Sequence, residues 1–447
     1  MTADSPFRRP LARVARGFAA AALVALACDP AAALPPGNTV QQWNSIAEDT
    51  VIGSGALQNE GLIYMAYVSA AVYNAAAAID GTYEPYRFDA AVPAGASVDA
   101  AVVEAASRTL RYYFPARDAA LEALRQEALA LIADGDAKDA GRAVGIAAAD
   151  AIITLRTGDG RLTPIATTST FPRKQPGPGV WRLTPAAFAA PQTPWVGSVR
   201  PFVLNAPGQF HPAPPPPLSS ERWARQVEEV ALYGRASGSA RTAEQTGIAL
   251  FWTANVVRQY NRLGRDVASA LSLDLMRTAR LLAMIDVVGA DAQITTLHWK
   301  YAFLFWRPVT AIDPTAVTAD GFGPVPGYDD GNPRTVEEIG WRPLLATPNH
   351  PEFPSAHGSI TSAVAEVLSE FLGSDQIDVT IHGFDPAGAA GNLNATRHFD
   401  SAASLRAEIA DARVFGGLHY RGSCEAGVDL GRRVAHYALD HAFRDRR

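Results

Sequence analysis

Cysteine is nearly missing, with only Cys28 and Cys424 in 447 residues. That excludes a disulfide framework and a cysteine-rich zinc site. Basic charge is not in excess: 39 Lys and Arg stand against 45 Asp and Glu, a net charge of −6. A general nucleic-acid binder would show its basic patch in that balance, so no nucleic-acid partner is expected, although a local basic pocket remains possible. Strand-like alternation is confined to fragments such as Val379-Thr380-Ile381, and no internal repeat stands out. The only long apolar run near a terminus, Gly17 to Ala27, is too short to span a bilayer permanently, so no transmembrane helix is expected after processing.

That run follows Arg8, Arg9, Arg13 and Arg16 and precedes small-residue sites at Ala25-Leu26-Ala27 and Ala31-Ala32-Ala33, the pattern of a secretory signal over residues 1–33. Arg8-Arg9 would suit twin-arginine export. Ala27-Cys28 would suit lipoprotein processing, though Ala25 stands where a larger aliphatic is usual. The expected location is secreted or periplasmic. Removing residues 1–33 takes away four Arg and two Asp, leaving 35 basic and 43 acidic residues, a charge of −8, with Cys424 alone. Hydrophobic residues make up 48% and charged residues 19% of the chain, enough for a large buried core.

Helical periodicity dominates the rest of the chain. It covers residues 61–79, 97–113 (with Ser97 as N-cap), 117–133 and 139–156. A Pro-, Gly- and Thr-rich connector from about 157 to 218 lacks periodicity, which suits a segment that wraps a core or edges a site. Helices resume at 220–233, 242–257, 268–288, 290–306, 355–371, 402–418 and 425–443. The expected protein is an all-α multi-helix bundle, with an N-terminal helical region and connector (34–218) and a C-terminal helical core (219–447) that carries the chemistry.

Three segments supply that chemistry. Lys300 and Arg307, seven residues apart, would share one face of a helix about 20° apart and two turns along, ended by Pro308. Ser355-Ala356-His357 follows Pro354 at a helix start, where free N–H groups and the dipole suit an oxyanion. Arg413 and His419 would lie about 120° apart on a continuous helix, so either Arg413 reaches round or Gly416-Gly417 bends the chain. Each has an ordinary reading by itself: snorkelling cations, a serine N-cap, a histidine beside C-cap glycines.

Lys-x6-Arg-Pro, Pro-Ser-x-His and Arg-x5-His in this order resemble the superfamily of vanadium haloperoxidases and type 2 phosphatidic acid phosphatases. The run Met65 to Tyr86 and the connector ending Pro214–Leu218 look like those of the bacterial secreted haloperoxidases. The resemblance implies vanadate as cofactor, with His419 as the ligand to the metal. Lys300, Arg307 and Arg413 would neutralise its oxygens, Ser355 and the N–H of Ala356 would hydrogen-bond them, and His357 would be the acid/base. Hydrogen peroxide and a halide would be the substrates and hypohalous acid the product, with Lys300 also polarising the peroxide. The alternatives are an acid phosphatase with His419 as nucleophile, or a silent scaffold that keeps only an anion site.

Ala356 stands where the family often has glycine, and Leu297 where some haloperoxidases have tryptophan. Ser423 stands where phosphatases and some haloperoxidases carry an aspartate; in a phosphatase it would orient the histidine, so its absence mildly disfavours the phosphatase unless a backbone carbonyl does the orienting. His350 matches a histidine of the algal bromoperoxidases, which leans toward bromide or iodide; capping of the Pro351 turn is the plainer role. Glu352 reads as a solvated loop charge, His298 as structural, and Asp329 to Asn332 as an ordinary turn.

Overall fold

The computed structural model describes residues 33–164, 177–317, 330–386 and 393–446. The signal-peptide expectation therefore lies outside the described residues. Among the described residues thirteen α-helices run in chain order: α1 (Thr39–Gly53), α2 (Gln58–Asp80), α3 (Val98–Tyr113), α4 (Asp118–Ala130), α5 (Asp136–Arg156), α6 (Glu221–Tyr233), α7 (Ala243–Phe251), α8 (Val256–Ala270), α9 (Leu275–Phe303), α10 (Pro308–Ile312), α11 (Ala356–Leu372), α12 (Ala402–Phe415) and α13 (Arg421–His441). Strands β1 (Val379–Gly383) and β2 (Ala395–Phe399) precede α12 and pair antiparallel, Ile381 opposite Arg397. The all-α expectation holds, and Val379-Thr380-Ile381 belongs to this small sheet.

Leu34–Arg447 forms one compact unit. The buried α9 is its axis, flanked by α2 on one side and by α11 and α13 on the other. Among the described residues α2 alone is long and apolar enough to cross a membrane, and it is buried inside the bundle. One apolar core joins these helices, and a smaller one around Trp223, Trp306, Trp341, Phe353 and Tyr420 lies beside the ends of α9 and α13.

Several boundaries differ from the periodicity. α1, which the periodicity does not predict, is started by Asn38, whose side chain accepts from Gln41 N. Residues 242–257 are not one helix: the chain breaks after Phe251 and Asn255 caps α8. Residues 268–306 are not divided at Gly289, because α9 runs unbroken to Phe303. α9 then stops at Leu304, whose backbone is left-handed (φ 51°), four residues before Pro308.

That early stop corrects the expected geometry of the first motif. Lys300 lies in the last turn of α9, whereas Arg307 is beyond it in extended backbone (φ −84°, ψ 154°), so the two do not share a helix face. The connector straps this exit: Trp181 N donates to Leu304 O, Trp306 N to Gly179 O, and Glu352 N to Phe305 O. It also hangs on α9 through Asp291, whose carboxylate accepts from the N–H groups of Phe202, Val203 and Leu204.

Candidate oxyanion site

α11 begins as expected. Ser355 is its N-cap, accepting from Gly358 N at 3.3 Å, so its own hydroxyl hydrogen stays available to donate. The N–H groups of Ala356 and His357 are among those a helix cannot satisfy internally. α13 presses against this end of α11 because it presents glycine there. A Cβ added at Gly427 would lie 2.4 Å from Ser355 O, and one at Gly431 only 2.0 Å from Ser359 O. Ser355 N donates to Ser423 O at 3.1 Å, which ties the two helix starts together.

Between α12 and α13 the glycine pair does bend the chain. Gly417 has φ 74°, and a Cβ there would sit 2.4 Å from Gly234 O. Arg413 on the last turn of α12 and His419 beyond the bend are both buried. Arg307 reaches this segment directly: its Nη1 donates to Leu418 O at 2.8 Å and lies 3.2 Å from His419 Nε2. Its Nη2 is 3.0 Å from His350 Nδ1, and its Nε donates to His350 O. Lys300 Nζ donates to Pro351 O at 3.1 Å and Glu352 O at 2.8 Å. The three motifs therefore meet where α9 ends and α11 and α13 begin.

Glu352 is not a loop charge. It is fully buried, and its Oε1 accepts from His419 Nδ1 at 2.7 Å and from Tyr420 N at 3.1 Å, while Oε2 has no partner among the described residues. Two prolines make its segment rigid and two strong contacts draw it inward, Glu352 N to Phe305 O and Lys300 to its carbonyl. The sequence carries only a slight signal for it, an acid between Pro351 and Pro354 and three residues before Ser355. His350 is buried too, and its Nδ1 accepts from Arg307 Nη2, so it joins the site and has no hydrogen on that nitrogen to cap the Pro351 turn. His298 approaches Gly197 O at 3.3 Å, away from the site. Asp330 and Asn332 form an ordinary turn in which Asn332 N donates to Asp330 Oδ1. Asp329 lies outside the described residues.

The contacts set the state of His419. An arginine N–H can only donate, so Nε2 facing Arg307 carries the lone pair, and Nδ1 carries the hydrogen toward Glu352. Burial pushes the His419 pKa well below the ordinary value, helped by Arg307, Lys300 and Arg413. The ring is neutral, and the Nε2 lone pair that accepts from Arg307 can bind an electrophilic centre once that N–H turns away. His357 is shifted down by burial and the same cations, makes no hydrogen bond to another described residue, and keeps some exposure.

Charge is the unusual quantity here. Among the described residues, no carboxylate lies within ion-pair distance of Lys300, Arg307 or Arg413, all of them buried. Arg413 makes a single weak bond, Nη1 to Trp252 O at 3.4 Å, and its buried Nε has no partner. Burial lowers the Lys300 pKa well below normal and those of Arg307 and Arg413 to about 10. Glu352, the acid that bonds His419, is itself pushed up to about 7 by burial. Buried unpaired cations are costly, and an anion among them removes that cost. Lone donors, free N–H groups and a neutral imidazole nitrogen suit a tetrahedral oxyanion such as vanadate or phosphate.

Comparison with known proteins bears on the fold. The fold is that of the bacterial vanadium haloperoxidases. The crystal structure of the first bacterial vanadium-dependent iodoperoxidase is similar with TM-score 0.72 at 23% identity, over 92% of this chain and 99% of that one. That of a holo-type bacterial vanadium-dependent chloroperoxidase is similar with TM-score 0.64 at 18% identity, over 88% and 92%. Residues 280–446 match the family model described as the VCPO second helical-bundle domain. Vanadium chloroperoxidase of Curvularia inaequalis is 26% identical over 250 residues, which span 43% of this chain and only 38% of that protein.

Proposed function

We propose that the chain is a vanadate-dependent haloperoxidase that oxidises halide with hydrogen peroxide, in the balance H2O2 + X− + H+ → HOX + H2O. The observation that carries this reading is the set of three buried cations with no carboxylate within ion-pair distance among the described residues, around a neutral histidine whose Nε2 keeps its lone pair and meets an Arg307 N–H. Bound vanadate would supply a Lewis-acidic centre that activates peroxide. Lys300, Arg307 and Arg413 hold its oxygens and neutralise their charge. Ser355 Oγ–H and Ala356 N–H orient it, and His419 Nε2 is the nitrogen donor. His357, unbonded and partly exposed, passes the proton that the reaction consumes and lets water leave. Bromide or iodide is the proposed halide. Support comes from the histidine at 350. Action outside the cytoplasm belongs to the same proposal and rests on residues 1–33.

One observation keeps a second reading in play. The missing aspartate at 423 counts against a phosphatase, yet Glu352 supplies a carboxylate on His419 Nδ1. A phosphorylated-histidine route with His419 as nucleophile therefore has its orienting acid. The test is a pair of assays on the purified, vanadate-free protein: bromide or iodide oxidation by peroxide with and without orthovanadate, beside hydrolysis of p-nitrophenyl phosphate. Halide oxidation that appears only on adding vanadate is the expected result. Phosphate release without any halide oxidation would overturn the haloperoxidase in favour of the second reading.

A further inference from the structure

Resting on the oxyanion reading above, we propose that the positioning carboxylate for His419 has moved: Glu352, on the loop before α11, performs the role that an aspartate at 423 would perform from α13.

Ser423 faces the same nitrogen from the other side. Its Oγ is 3.5 Å from His419 Nδ1 and 3.5 Å from Glu352 O, whereas Glu352 Oε1 is 2.7 Å from Nδ1. A serine hydroxyl at that range cannot fix the tautomer, because it can either donate or accept. Glu352 Oε1 already accepts from the Tyr420 N–H, so it meets Nδ1 as an acceptor, holds the hydrogen there and leaves Nε2 to the ligand. The second bond, from Tyr420 N to the same Oε1 at 3.1 Å, locks the carboxylate against the residue that follows His419. The backbone of Glu352 is pinned as well, by Phe305 O at its N–H and by Lys300 Nζ at its carbonyl. One residue therefore couples the lysine end of the site to the histidine end, which an aspartate on α13 would not do.

This role makes a prediction that neither plain packing nor plain charge makes. A negative charge beside the pocket opposes every incoming anion, so removing it should help an ion held by electrostatics alone. It should harm an ion that needs a bond from Nε2, since a metal-ligating histidine loses affinity about 10–100-fold when its outer partner is lost. The experiment compares binding of orthovanadate and of sulfate, by calorimetric titration, to the wild-type chain, Glu352→Gln, and Glu352→Gln with Ser423→Asp. Glu352→Gln keeps the shape and one acceptor oxygen, so folding is preserved, and a melting curve checks it. The expected result is vanadate weakened about 10–100-fold with sulfate unchanged or tighter, and vanadate selectivity regained when Ser423→Asp is added. Equal loss of both anions would overturn the proposal in favour of a structural role, and equal gain would reduce Glu352 to a counter-charge. Failure of the double variant to regain selectivity would refute the relocation. A wild-type protein that binds neither anion would overturn the oxyanion reading itself, and a wild-type preference for vanadate that Glu352→Gln retains would overturn only the role of Glu352.

Discussion

Replacing Arg413 with methionine should make the empty protein more stable and the loaded protein less so. Arg413 is 3% exposed, and among the described residues its guanidinium meets no carboxylate and has one bond of 3.4 Å, to Trp252 O. Methionine of similar reach removes the buried charge and abandons only that weak contact. Replacing buried ionic groups by apolar ones is commonly worth about 1–4 kcal/mol, and an unpaired cation gives the favourable end more readily than a paired one. Anion binding runs the other way. At a free concentration 100 times its Kd, a ligand stabilises the folded state by about 2.7 kcal/mol. With an unfolding entropy of about 2.1 cal/mol/K per residue, this 447-residue chain gains about 3 °C in Tm. Losing one buried charge-assisted partner weakens binding by about 2 kcal/mol or more, roughly 30-fold. At the same concentration the variant therefore keeps about 0.9 kcal/mol or less, near 1 °C. The assay is thermal melting of both proteins across a titration of orthovanadate, repeated with phosphate. An Arg413→Met protein that melts below wild type without anion, and gains as much from anion, would refute the reasoning and make Arg413 a structural cation.

Three other perturbations probe different parts of the molecule. His357→Ala should cut halide oxidation about 100- to 10,000-fold, as loss of an acid/base group does, while the vanadate-induced rise in Tm persists; loss of that rise would place His357 in anion binding. Gly431→Ala should destabilise by about 1–3 kcal/mol through overpacking against Ser359 O, whereas Gly289→Ala, with nothing within 4 Å, should stabilise by up to about 1 kcal/mol; denaturant unfolding separates them, and equal effects would contradict the α11–α13 contact. Asp286, buried and bonded to Ser69 and Asn261, has its pKa pushed from 3.8 up to about 7, chiefly by burial. Its folded form keeps a proton that the unfolded chain has lost, so stability falls as pH rises from about 4 to about 7, by a total on the order of 4 kcal/mol. Asp286→Asn should flatten that slope in urea titrations between pH 5 and 8, and an unchanged slope would show that the carboxylate is not the source.

Much of the site is legible in the sequence because its residues sit at chain features with local rules. Ser355 after Pro354 is an N-cap by chemistry, and Gly416-Gly417 permits the bend that brings His419 back beside Arg413. Lys300 and Arg307 stand out for a reason the structure replaces. The seven-residue spacing suggests one helix face, but α9 ends at Phe303, and Arg307 arrives through extended backbone strapped by Gly179 to Trp181. Nothing in the local pattern announces a left-handed Leu304. Glu352 reads wrongly from sequence because burial is a property of the assembled fold: a charge between prolines looks like a loop until α9 and α13 close over it. The division of α9 at Gly289 fails for the opposite reason, since tertiary packing on every side overrides the weak helix propensity of one glycine.

A crystal structure of the protein grown with orthovanadate tests the central claim most directly. The predicted result is one vanadium centre bonded to His419 Nε2, with its oxygens met by Lys300, Arg307, Arg413, the Ser355 hydroxyl and the Ala356 N–H. Arg307 should by then have turned from the Nε2 it now faces at 3.2 Å. Vanadate bound elsewhere, or His419 still engaged by Arg307 in a crystal saturated with vanadate, would contradict it.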